Sequence, residues 1–343
     1  MVQSMLSRVF VIAVIVLRLQ PFNDGQQLTA DAGRGFALAE QSLHGIFCIG
    51  IDTQTTLQES TSQETTSHKG TSGHEIELSF SLSNATQLNG MLTIPDQRNN
   101  WGVLMMGGGV GNDLDWTVPG SIIHNETEVQ FTVSGKSHAD GPRLASALAD
   151  HGFTIMRWST IAHGDPLEDQ WPMRATPRTQ AELIDQANAA LDCLKSQADI
   201  EERHIILLAH SQGAVRACQL IRKREPFGGF VALSPVYFTE VEQIAARLEQ
   251  HGLNSCETIL SKHQVPTLTI FGELDNSPMI DIHAANLLAE SKRILNLTVK
   301  VHPDLGHQLG KQTGQLLDPI DSSVLDSIAQ WCLGLVEDSK LDR

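Results

Sequence analysis

From residue 75 apolar and polar positions alternate. In "EIELSFSLS" the residues Ile76, Leu78 and Phe80 share one face, and "QLNGMLTIP" follows after a Ser-Asn-Ala-Thr break. A period of two on either side of a turn predicts a half-buried hairpin. The pattern then changes. The stretches "GVLMM" (102–106), "FTIMRW" (153–158), "HIILLA" (204–209), "GFVALS" (229–234), "PTLTIFG" (266–272) and "LTVKVH" (297–302) read as strands, mostly as continuous apolar runs. Helical spacing falls between and after them, over 142–151, 179–197, 212–223, 239–250, 280–293 and 318–335; in the second of these Ile184, Ala187, Leu191 and Leu194 form one stripe. A strand buried on both faces has no polar side. This order therefore predicts an α/β fold with a mostly parallel eight-stranded sheet, helices on both faces and an antiparallel hairpin at its start.

The first 74 residues break the pattern. Residues 9–17, "VFVIAVIVL", follow Arg8 as an apolar run too short to span a bilayer but of the length of a signal-peptide core. Arg18 follows at once, and the nearest Ala-x-Ala lies at Ala30 to Ala32. Residues 1–32 are thus a candidate signal or anchor, with export to the periplasm or medium as the expectation and the cytoplasm as the alternative. Residues 52–72 are almost all Ser, Thr, Gln and Glu. Such a stretch buries too little apolar surface to offset its ordering entropy. The expected organisation is a linker over 33–74, one domain over 75–336 and a tail over 337–343.

Composition narrows the function. The formal net charge is −16, from 40 acidic and 24 basic residues, and no basic stripe is present. Nucleic-acid affinity rests on clustered Lys and Arg, so nucleic acid is not an expected partner. Membrane contact is expected only through the N-terminal segment. The five cysteines are widely spaced without Cys-x-x-Cys, which fits neither a disulfide framework nor a zinc site. Cys193 and Cys218 fall in apolar helical patterns and are expected as buried thiols.

In sheets of this kind ligands bind beyond the carboxyl ends of the strands. Ser211 lies just past "HIILLA" and opens a helix, with Ala209 two residues before it and Gly213 two after. Small residues there let strand and helix pass close together around a nucleophile on a sharp turn. A serine at that place also serves as a plain helix N-cap. His307, in "VKVHPDLGHQLG", follows the last strand and is placed for general-base work; His302, its nearest rival, lies at the end of the strand itself and is expected to point into the sheet packing. Asp275, in "IFGELDNS", follows the preceding strand and can orient a histidine; Glu273 is the rival acid, with Asp304 and Asp281 behind it. "GGGVG" (107–111) after an earlier strand offers backbone N–H groups to a developing oxyanion, from Gly108 or Gly109, alongside the N–H of Gln212. No Gly-Lys-Ser/Thr or Gly-x-Gly-x-x-Gly motif makes those glycines a phosphate cradle.

With "AHSQGA", "FGELD", Gly306-His307 and "GGGVG" in this order, residues 75–336 resemble the α/β-hydrolases, in particular esterase-like and dienelactone-hydrolase-like members. "RLASALADHGFTIMRW" is similar to their helix and strand after the oxyanion loop. The resemblance implies the triad Ser211, Asp275 and His307. It implies a carboxylic ester or other small acyl compound as substrate, and no metal or organic cofactor. The chain departs from the pattern at Met106, where many members carry His, and at "STIAHGDP" after "IMRW"; both bear on substrate. Amidase, peptidase, thioesterase and acyltransferase chemistry use the same groups, and an inactive binding module is the alternative of another kind. The connection 110–141 is long enough to roof a pocket in part, and 236–264 is short for a cap. Trp116, Trp158 and Trp171 are candidate pocket walls, with core packing expected for Trp158.

Overall fold

A computed structural model describes residues 48–50, 73–108, 112–118, 120–124, 127–130, 132, 134–162, 179–224, 226–236, 255–275, 296–313 and 316–341, all within the unit Gly45–Arg343. The alternating stretch forms the expected hairpin, β2 (Gly73–Ser81) with β3 (Gln87–Pro95), and β1 (Cys48–Gly50) pairs antiparallel along its outer side. The first apolar run is β4 (Gly102–Met106). The connection after it holds four short strands, β5 (Thr117–Val118), β6 (Ser121–His124), β7 (Thr127–Gln130) and β8 (His138–Ala139), paired β5 with β8 and β6 with β7. Helix α1 (Asp140–Ala149) leads into β9 (Thr154–Ala162), α2 (Gln180–Ala198) into β10 (Ile205–His210), and α3 (Gly213–Lys223) into β11 (Gly229–Leu233). The helix Cys256–His263 precedes β12 (Thr267–Gly272), and β13 (Leu297–His302) follows. The hairpin β14 (Gly310–Thr313) with β15 (Leu316–Ile320) leads to a closing helix, Ser322–Leu341.

The main sheet runs β1-β2-β3-β9-β4-β10-β11-β12-β13, parallel from β9 onward. It contains the eight expected strands with β1 added at the edge, and it is the α/β-hydrolase fold. The chain leaves β4 towards β9 on one side and later passes through β10 to β11 on the other. The crevice between the carboxyl ends of β4 and β10 is therefore where strand order reverses, the place where such sheets bind ligands.

Alternation along the strands sorts the core into two layers. Leu104, Leu207 and Ala209 pack towards α2 and α3, whereas Val103, Met105, Ile206 and Leu208 pack towards α1 and the closing helix. All seven are buried, which explains why their strands read as unbroken apolar runs. Cys193, Cys218, Cys256 and Cys332 are buried, as thiols in the core. Trp158 belongs to the core, as expected. Helix α2 opens on a capping box in which Thr179 accepts from the Glu182 N–H and Glu182 reaches back to Thr179. Gly152 takes a φ of +87° just after α1, the left-handed turn that glycine adopts without strain.

Three expectations are corrected. The closing helix begins at Ser322 rather than 318, because Leu316–Ile320 pairs as a strand; Pro319 suits that segment, and Asp321 accepts the Ser323 N–H at 2.9 Å to start the helix. The connection 110–141 is built of short strands rather than plain loop, each too brief to leave a periodic signal. His302 does not point into the sheet packing: its Nδ1 lies 3.3 Å from Ser323 Oγ at the start of the closing helix. The expected helices 239–250 and 280–293, with Asp281 and Trp171, lie outside the described residues.

Candidate functional site

Ser211 sits between β10 and α3 with a φ of 52°. A left-handed conformation at a non-glycine residue costs on the order of 1–3 kcal/mol and persists only where the surroundings fix it. Here the Ser211 N–H donates to Leu233 O at 2.8 Å, and its carbonyl accepts from the N–H of Ala214 at 3.2 Å. The residue at the helix cap is Gln212, not the serine, and no side chain caps that end. The Ser211 hydroxyl instead lies 3.1 Å from His307 Nε2.

The turn demands a close approach. A methyl group on Gly213 would come within 2.5 Å of Met106 O and 2.8 Å of Gly107 O, both backbone atoms at the end of β4. Only glycine lets α3 start against the end of β4. Gly213→Ala is expected to destabilise the protein by about 1–3 kcal/mol, as overpacking does, and to slow any reaction of Ser211. Urea unfolding and active-site labelling check this; a variant with wild-type values in both would remove the argument.

His307 stands in the loop after β13. Its Nδ1 lies 2.8 Å from Asp275 Oδ2. The Asp275 side chain is fully buried, while 20% of the His307 side chain is exposed. A carboxylate only accepts, so Nδ1 carries the hydrogen and Nε2 is the bare nitrogen that receives the serine O–H. Glu273, the rival acid, is exposed at the surface, and its N–H donates to His302 O at 2.9 Å. The two loops meet because β12 ends in Gly272, where a methyl group would lie 2.3 Å from Leu305 O and 2.5 Å from Gly306 O. Of the rivals, Asp304 is exposed at a φ of 60° in the same loop.

Gly108 lies against the serine: a methyl group on it would come within 2.8 Å of Ser211 Cβ. Gly109 is outside the described residues. The glycine loop is held from two sides that sequence reading missed. Asn112 donates its side-chain amide to Gly108 O, and its backbone N–H bonds Thr160 Oγ1 at 2.6 Å. From below, the buried Arg216 of α3 donates to Gly107 O at 2.9 Å. An arginine in the middle of a helical pattern gives no sign in the sequence that it points inward. Asp113 accepts the Thr117 N–H at 2.8 Å and so serves the turn rather than the crevice. Trp116 is half-buried with its ring 6.5 Å from that of His210. Among the described residues no group of His, Cys, Asp and Glu is arranged to hold a metal, and no helix is long and apolar enough to cross a membrane.

Arranged this way, the groups can move a proton from a hydroxyl to an imidazole and stabilise the imidazolium that forms. No protein-family model and no curated protein matches the sequence. Several solved structures are similar in chain path. TT1662 from Thermus thermophilus is 13% identical, covering 77% of this chain and 99% of that one, with a TM-score of 0.48. The esterase Pf2001 of Pyrococcus furiosus is 14% identical over 76% of this chain and 90% of its own, with a TM-score of 0.49. A dienelactone hydrolase from Anabaena variabilis is 15% identical over 77% and 98%, with a TM-score of 0.48. The chemistry of the site rests on the side chains themselves.

Proposed function

We propose that the protein is a serine hydrolase that opens a carboxylic ester through an acyl-enzyme. The observation that carries this reading is the continuous chain from buried Asp275 through His307 to Ser211, with contacts of 2.8 and 3.1 Å, at the crevice between β4 and β10. Ser211 Oγ attacks the ester carbonyl while His307 Nε2 takes its proton. Asp275 stabilises the imidazolium through Nδ1. The tetrahedral oxyanion is received by backbone N–H groups of Gln212 and of Gly108 or Gly109. Gln212 suits that role because the first N–H groups of a helix lack partners within it and lie at its positive end. His307 then protonates the departing alkoxide. Water, deprotonated by the same nitrogen, releases the acid and restores Ser211.

A fluorophosphonate probe tests this directly. Ser211 displaces fluoride from phosphorus only if its hydroxyl is activated. Wild-type protein is expected to be labelled and Ser211→Ala is not. Folded wild-type protein that takes no label would overturn the reading and leave a binding module on this fold. A panel of p-nitrophenyl esters, thioesters and anilides then separates ester from amide and thioester cleavage, and an added alcohol acceptor exposes acyl transfer.

A further inference from the structure

His210 precedes Ser211 and takes no part in these proton transfers, yet its side chain is buried beside the triad. Its Nε2 lies 3.0 Å from the backbone carbonyl of His307. A carbonyl oxygen only accepts, so Nε2 carries the hydrogen and donates it. The His210 and His307 rings lie 5.0 Å apart, tilted by 56°. Burial first, and then neighbouring His307, push the His210 pKa down to about 4, against the pull of the His307 carbonyl, Asp275 and Asp140. His210 is thus neutral near pH 7, with Nδ1 bare. Two charged imidazoles side by side would oppose each other; a neutral donor does not.

The His307 loop has other anchors, but they face elsewhere. Leu305 O accepts from Leu274 N at 2.8 Å and His302 O from Glu273 N at 2.9 Å, which ties the loop to the acid's strand. Gly306 N donates to Gly310 O at 3.0 Å, within the loop itself. Among the described residues, the bond from His210 is the one that fastens the backbone of this loop to the nucleophile strand.

We propose that His210 is a positioning residue: its Nε2–H, donated to the carbonyl of His307, fixes the histidine loop against the nucleophile turn and so holds the His307 imidazole within reach of Ser211. The proposal rests on the serine-hydrolase reading for its kinetic consequence, though not for its structural one. Gln and Asn separate it from a role in packing. Glutamine carries its amide nitrogen as many bonds from Cβ as the histidine Nε2 and can reach the carbonyl. Asparagine is one carbon too short. His210→Leu, which fills the space without a donor, is expected to behave as the asparagine variant.

The experiment compares wild type, His210→Gln, His210→Asn and His210→Leu, each checked by thermal unfolding. One readout is p-nitrophenyl ester turnover. The other is the downfield NMR signal of the His307 Nδ1 proton bonded to Asp275, which needs no substrate. In the Asn and Leu variants kcat is expected to fall about 100-fold with KM little changed, the scale of a small misplacement of reacting groups, and the Nδ1 signal to broaden by exchange with water. The Gln variant is expected to keep a sharp signal and turnover close to wild type. Equal kcat and equal signals in the Gln and Asn variants, whether intact or lost, would overturn the proposal. If the wild type neither labels nor turns over, the hydrolase reading fails; the contrast in the proton signal still decides whether His210 positions His307.

Discussion

Asp275→Asn is expected to lower kcat on a p-nitrophenyl ester about 10⁴-fold, the scale seen when a triad carboxylate becomes an amide, while Glu273→Gln leaves it nearly unchanged. The reason is the direction of one hydrogen bond. The Asp275 carboxylate accepts from Nδ1 and so keeps Nε2 bare for the serine proton. An asparagine can turn its N–H groups towards Nδ1. The hydrogen then moves to Nε2, which can no longer act as base. The imidazolium also loses its buried counter-charge. KM is expected to change little, because the altered group lies behind the histidine and away from the substrate. Glu273 is exposed, and no such coupling runs through it. Loss of turnover in Glu273→Gln with Asp275→Asn spared would reverse the assignment of the acid.

Acid is expected to destabilise the fold through His210. In an unfolded chain its imidazole takes a proton near pH 6.5, whereas burial lowers that point to about 4 in the folded protein. Between those values the unfolded state binds a proton that the native state does not, so stability falls as the pH falls. At the low end this one residue accounts for about 3 kcal/mol, with about 2 kcal/mol already lost near pH 5. Urea unfolding of wild type and His210→Gln at pH 7 and pH 5 isolates the effect, since glutamine does not titrate. The wild type is expected to lose more stability over that interval, by the stated amount. The same pH dependence in both proteins would show that the imidazole accepts its proton without opening the site.

The sheet was legible because its strands are buried on both faces, and continuous apolar runs such as "HIILLA" carry that condition directly. All eight expected strands occur, and the order of the elements placed Ser211, Asp275 and His307 after strand ends. The connection 110–141 was not legible as structure. Its strands have two or four residues, shorter than a period needs to show itself. The closing helix was misread at its start because apolar "LLDPI" fits a helix stripe as well as a short strand, and only the partner Gly310–Thr313 decides between them. His302 and His307 both lie near a strand end; which of them faces the serine depends on how the loop turns back past Gly272.

By itself the sequence determined the layer order, the reactive residue types and the small residues at 209 and 213, because each is a local demand on volume, period or backbone shape. Tertiary structure decided what distance alone can decide. It brought Asp275 rather than Glu273 to His307, burying one carboxylate against Nδ1 and leaving the other at the surface. It took the Ser211 hydroxyl away from the helix cap and gave it to a histidine 96 residues further on. It also turned His210, a flanking residue in the motif, into a donor to the His307 backbone. Such pairings join residues far apart in the chain. They form only when the loops after β4, β10, β12 and β13 gather at one edge of the sheet.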